Sequence, residues 1–305
     1  MERRFPLVPM DAALAETLLT ALPGSPRLRC FTLLAGGHIN TNYALGLADG
    51  RCVVLRIYAQ GEAAFRKETA LLQGLAGPVA VPALLAAAYE PRVFAHPYAL
   101  LEWIDGTPLN QVLAAEPAAA AVGEAVAEAL LGIGRQAIPA EPFPPFADYI
   151  GDCLFRRGAA DWLGPEATER LWCVVQQQGP RLEELRRTDV LVHGDFQGDN
   201  ILLQQAGMGW RVAAVIDWEW AHKGCYLQDL GSLFRLEGVR LSEFQAGLEA
   251  GFARQNAALP PAWQKAARLW DVAALCEKLA YPRHRGEVTT RSIRLIEGCV
   301  ADFAQ

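Results

Sequence analysis

The 305-residue chain has no run of 18 or more apolar residues, so no segment reads as a membrane-spanning helix. Its first stretch, MERRFPLVPMDAALAETLL, carries charge but no long apolar core, which argues against a secretory leader. Lys and Arg form no stripe, and 28 basic against 34 acidic residues leave a net charge of -6. A nucleic-acid footprint is therefore not expected, and any phosphate binding must be local. The seven cysteines (Cys30, Cys52, Cys153, Cys173, Cys225, Cys276 and Cys299) include no CxxC pair and no zinc spacing. They read as thiols of a reducing compartment, and the cytoplasm is the expected location. Repeats and low-complexity tails are also missing, and with about half its residues apolar the chain is not expected to be disordered.

What remains is a chain that is 52% hydrophobic and long enough for two lobes. Apolar runs at Phe31 to Leu34, Tyr43 to Leu47 and Arg51 to Ile57 are separated by Gly36-Gly37 and by Ala48-Asp49-Gly50. The Asp-Gly pair is a hairpin signal, and the three runs predict an antiparallel meander. From Gly61 to Leu75 the pattern turns helical, with Phe65, Leu72 and Leu75 on one face. A strand pair is expected at Leu84 to Tyr89 and Tyr98 to Trp103, ahead of a turn at Ile104-Asp105-Gly106. The boundary is placed there, giving lobes 1–104 and 105–305. The second half reads as helical over Glu116 to Ala137, Ala159 to Arg187 and from Leu241 onward, with EPFPPF as a loop. Short strands return at Val190 to Val192, Ile201 to Leu203 and Val212 to Ile216.

The segment VLVHGDFQGDNILL sets Asp195 and Asn200 on a loop between two apolar runs, and Asp217 follows in AVIDWEW. Three such oxygen donors suit phosphoryl transfer. Asp195 can take the proton of a substrate hydroxyl, while Asn200 and Asp217 supply hard ligands for Mg2+ on nucleotide phosphates. Each residue alone would pass as a turn former, and the joint pattern is what carries the chemistry. His193 reads as a residue that holds this loop in place. Glu68 points to the same side as the apolar stripe of its helix, and a buried carboxylate requires a partner. Arg56, on the opposite face of its strand from Val53, Leu55 and Ile57, is the economical one, and it would also face phosphate. The loop AGGHINTNY, with Gly36, Gly37 and His38, can lie over phosphates through exposed backbone N–H groups. Glu102 to Ile104, at the end of the last strand of the first lobe, would offer backbone groups to an adenine edge.

These residues resemble the aminoglycoside phosphotransferase and choline kinase-like group of small-molecule kinases, relatives of protein kinases. The likeness runs from Phe31 to about Phe234 and rests on His193-Gly194-Asp195, Asn200 and Ile216-Asp217-Trp218-Glu219. It implies an α+β, two-lobed protein kinase-like fold, with an antiparallel sheet and one main helix in a nucleotide-binding lobe and a larger helical catalytic lobe. ATP and Mg2+ are the implied cofactors. Asp195 becomes the catalytic base, Asn200 and Asp217 the metal ligands, Glu68 the partner of the phosphate-binding Arg56, and Asp229 a structural carboxylate. Arg56 replaces the usual Lys, Gln136 stands where members often show His, and no long activation segment follows Asp217. The acceptor is thus expected to be a small molecule with a hydroxyl rather than a protein. From Glu219 onward there are 10 Asp and Glu against 11 Lys and Arg, which gives no acidic bias for a polycationic antibiotic. Glu219, Asp271 and Glu277 are the local carboxylates that such an acceptor would use. Homoserine, an amino alcohol or a sugar is the alternative acceptor. A kinase-like binder without catalysis is the alternative function, and Trp218 and Trp220 read either as core or as a stacking surface.

Overall fold

A computed structural model of the chain describes residues 3, 5–35, 39–75, 77, 79–115, 119–186, 189–207, 209–235, 241–281 and 286–303. Two compact units emerge, Met1–Gly106 with Ala213–Glu219, and Thr107–Val212 with Trp220–Gln305. Asp217 therefore belongs to the first unit, although it lies far beyond position 104 in sequence.

The first unit begins with a helix for which the sequence reading has no counterpart, α1 (Ala12–Leu19), capped where Asp11 accepts from the Leu14 N–H. Strands β1 (Leu28–Leu33), β2 (Thr41–Leu47) and β3 (Cys52–Ile57) form the expected meander, followed by helix α2 (Glu62–Leu75) and strands β4 (Leu84–Ala88) and β5 (Tyr98–Glu102). The sheet order is β1-β2-β3-β5-β4, antiparallel throughout. Gly50 makes the hairpin turn with φ +89°, donating to Leu47 O at 3.1 Å, while the Asp49 carboxylate accepts from the Arg51 N–H. Alternation then decides the faces. Leu45, Leu47, Val53, Leu55, Ile57 and Leu100 pack against Leu18 and Leu19 of α1 in one core. Arg56 lies on the other face, where α2 meets it.

The second unit opens with β6 (Thr107–Pro108), α3 (Leu109–Ala115) and α4 (Ala119–Gly134). The helix expected over Glu116 to Ala137 thus ends at Gly134, and residues 116–118 lie outside the described residues. Helix α5 (Phe146–Gly151) leads into a π-helical turn at Asp152–Arg156, then α6 (Ala159–Leu163) and α7 (Pro165–Leu185). Phe146, assigned to a loop from sequence, starts α5 instead because its ring is fully buried and meets Trp270 edge-on at 5.1 Å. Strands β7 (Leu191–Val192), β8 (Ile201–Ala206), β9 (Gly209–Val215, whose residues from Ala213 on belong to the first unit) and β10 (His222–Lys223) follow, with β7 paired to β10 and β8 to β6. Helices α8 (Leu227–Leu233), α9 (Leu241–Arg254), α10 (Trp263–Leu279) and α11 (Glu287–Ala301) complete the chain. Among the described residues no helix is long and apolar enough to cross a membrane.

Helices α4 and α9 approach at backbone distance. A Cβ at Gly123 would collide with Phe244 O, one at Gly247 with Ala120 O, and one at Gly251 would stand 2.6 Å from Ala127 Cβ. Only hydrogen fits at these crossings, and overpacking a close contact costs about 1–3 kcal/mol. Gly247→Val should lower the free energy of unfolding in urea by at least that amount. An unchanged midpoint would show that the two helices can part without loss.

Candidate active site

Arg56 is 6% exposed and Glu68 1%, and the sequence-derived pair between them forms, with Arg56 Nε donating to Glu68 Oε2 at 2.8 Å. The same guanidinium donates from Nη2 to Asp217 Oδ1 at 2.5 Å and stands 3.9 Å from Glu219 Oε2. Glu68 also accepts the Trp218 backbone N–H at 3.1 Å, so α2 anchors the segment that carries Asp217. Asp217 holds a left-handed backbone at φ 70°, a conformation that Asp tolerates better than most residues. Glu219 Oε2 accepts from Asn40 Nδ2 at 2.9 Å and from Gln60 Nε2 at 3.0 Å, and Lys67 Nζ donates to the Glu219 carbonyl at 2.9 Å.

Three carboxylates thus crowd one buried guanidinium. Burial works against the charge of Arg56, but Asp217 and Glu68 outweigh it and hold the guanidinium well above its ordinary value. Burial, then the neighbouring Asp217, pushes the Glu219 carboxyl up to about 8, and burial also raises Glu68. A hard divalent ion takes carboxylate oxygen, and Asp217 is the member of this cluster whose side chain is partly exposed, at 28%. Arg56 engages only Oδ1 of Asp217, which leaves Oδ2 for such an ion.

In the second unit, Asp195 and Asn200 lie together on the loop between β7 and β8. Gly194 has φ +82°, and a Cβ there would come within 2.5 Å of Trp220 O, so the sharp turn before Asp195 requires glycine. The fully buried Asp229 accepts the backbone N–H groups of His193 at 2.8 Å and Gly194 at 2.9 Å. His193 is itself fully buried, and its Nδ1 accepts the Asp195 N–H at 3.3 Å, so the imidazole holds the loop as the sequence reading has it. Asp195 Oδ2 accepts from Gln197 Nε2 at 3.0 Å and Asn200 Nδ2 at 3.2 Å, and Asn200 Nδ2 also reaches Asp195 O at 2.9 Å. Both side-chain bonds of Asn200 use its amide N–H groups, and among the described residues its amide oxygen has no partner and could face a cation. Asp195 Oδ1 stands 3.9 Å from Arg235 Nη1 and is the oxygen left for a proton.

Several sequence expectations land elsewhere. Gly36, Gly37 and His38 lie outside the described residues. The Glu102 N–H donates to Ala83 O at 2.9 Å, so an adenine edge would have to use other backbone groups of the stretch ending at the half-buried Ile104. Trp218 is fully buried, its Nε1 bonded to Val215 O, which makes it core. The three carboxylates named for a cationic acceptor are all engaged. Glu219 faces Asn40, Gln60 and Arg56, Asp271 accepts from Arg235 Nε at 2.8 and 2.7 Å, and Glu277 takes Arg157, Tyr149 and Tyr281. Arg235 and Gln197 were missed from sequence. Gln197 lies inside the Asp195 loop, and that position was its only signal.

Burial raises the Asp229 carboxyl from 3.8 to about 7, against the pull of its two N–H bonds. A buried acid raised in the fold binds more protons folded than unfolded, so stability falls as pH rises from about 4 to 7. Asp229→Asn should remove that slope while losing one of the two acceptor bonds, at a cost of about 1–3 kcal/mol. Thermal melts of both proteins from pH 4 to 8 check this, and parallel curves would contradict it.

The chain belongs to the phosphotransferase enzyme family, whose model matches residues 31–269. It is similar to the viomycin phosphotransferase of Streptomyces vinaceus, 28% identical over 230 residues, which are 72% of this chain and 70% of that protein. Among solved structures it resembles the aminoglycoside phosphotransferase APH(4)-Ia, with a TM-score of 0.70 at 18% identity over 97% of this chain and all of that one, 100%. A mutant of that enzyme in complex with ADP and hygromycin B gives a TM-score of 0.67 at 17% identity, covering 95% of this chain and 98% of that one. The GDP and kanamycin complex of APH(2")-IIia gives 0.73 at 19% identity, covering 96% of this chain and 99% of that one. The fold is therefore the kinase-like α+β fold that the residues suggested.

Proposed function

We propose that this phosphotransferase moves the γ-phosphoryl group of ATP, taken with Mg2+, to a hydroxyl of a small molecule in the cytoplasm. The observation that carries the reading is the state of Asp195. Its Oδ2 is fixed by Gln197 and Asn200, its loop is pinned by Asp229 and His193, and Oδ1 remains for the proton of an acceptor. In-line transfer follows from general chemistry. The acceptor O–H gives its proton to Asp195 as its oxygen bonds to the γ-phosphorus, and the γ-phosphorus to bridging-oxygen bond breaks with its electron pair leaving on ADP. Asn200 and Asp217 would hold the metal, which when bound neutralises phosphate charge. Arg56, fixed by Glu68, adds a positive field beside Asp217.

Relatives that bind ADP in one case and GDP in another support a nucleotide donor, with ATP as the reading preferred for this chain. Viomycin, hygromycin B and kanamycin are named for relatives only. An ADP-release screen over aminoglycosides, macrolides, amino alcohols, homoserine and sugars should find an acceptor. Asp195→Ala should lower turnover of it about 10²–10⁴-fold with an unchanged melting temperature. Full activity in that variant would remove Asp195 from the chemistry.

A further inference from the structure

A cavity of about 590 Å³ opens against the Asp195 loop, whose Gln197, Gly198 and Asp199 form one wall. Arg235, just after α8, and Arg291 and Arg294, one turn apart on α11, also line it. Its acidic side chains are Asp199, which accepts from Asn110 Nδ2, and the exposed Glu287 at the start of α11. Arg235 is 8% exposed, and Asp271 binds its Nε and Nη2, which sets the guanidinium plane. Arg235 Nη1 is buried with no hydrogen-bond partner among the described residues and stands 3.9 Å from Asp195 Oδ1. An unsatisfied buried donor of this kind calls for an acceptor atom. Arg291 Nη2 donates to Arg235 O at 2.9 Å, which keeps the second arginine beside the first. The Lys278 ammonium is pushed down to about 8, by burial first and by Arg235 next, in keeping with the positive field in this region.

We infer that the cavity takes an acceptor bearing a carboxylate or phosphate close to its reactive hydroxyl, with that anionic group held by Arg235, Arg291 and Arg294. This rests on the reading of Asp195 as the base. Arg235 offsets the repulsion that an anionic acceptor would meet from the Asp195 carboxylate, and a polycationic sugar would face these arginines with like charge.

Hydroxy acids, sugar phosphates, the uncharged amides of the same hydroxy acids and aminoglycosides should be compared by kcat/KM with ATP and Mg2+. The hydroxy acids or the sugar phosphates should exceed the amides and the aminoglycosides by at least tenfold, and whichever of the two leads identifies the anionic group. Arg235 is buried against Asp271, so the test uses the exposed pair. Arg291→Gln and Arg294→Gln should each raise KM for the anionic acceptor about tenfold and leave KM for its amide unchanged. Transfer to amides or aminoglycosides alone, indifferent to both substitutions, would overturn the anion site and leave phosphotransfer standing. No transfer to any class would overturn both.

Discussion

The buried guanidinium of Arg56 is the constraint on which the first unit depends. It sits on β3, reads Glu68 from α2, and fixes Asp217 and Glu219 from a segment far downstream in the chain. Removing one member of such a buried cluster leaves uncompensated charge, at a cost of about 3–5 kcal/mol. A hydrophobic replacement of the whole group would serve stability as well or better, so stability alone does not explain why the cluster is ionic. Its use is positional. It fixes the Asp217 carboxylate through Oδ1 beside α2 and holds the segment that follows it.

In the second unit the same logic is run with backbone groups. Asp229 gathers the His193 and Gly194 N–H groups, Gly194 takes a backbone shape that a side chain would block, and Asp195 emerges with one oxygen committed and the other available. The shell of residues behind the loop is buried, while Asp195 keeps a 20% exposed side chain. A rigid support with an accessible carboxylate is the arrangement that proton transfer asks for.

Much of this was legible from residues. Strict alternation put Val53, Leu55 and Ile57 inside and left Arg56 on the other face, so its partner could be sought on the next helix. The Asp49-Gly50 hairpin was equally plain. Helix α1 was not, because the proline- and charge-bearing segment around it shows no long periodic stretch, and its burial comes from Leu18 and Leu19 meeting a sheet formed later in the chain. Local spacing also could not reveal that Asp271 and Glu277 are spent on Arg235 and Arg157, since those partners lie 36 and 120 positions away. The charge count from Glu219 onward came out near balance, and it took the fold to show which of those acids are paired and that Arg235, Arg291 and Arg294 line one cavity.

The most direct test of the account is calorimetric titration of the protein with ATP, with and without Mg2+, in parallel with Asp217→Asn. Tight binding to the native protein that requires Mg2+, and that loses at least tenfold in affinity in the variant, is the predicted result. Equal affinity with and without the metal, unchanged by Asp217→Asn, would contradict the assignment of the Arg56 carboxylate cluster to the metal-bound nucleotide.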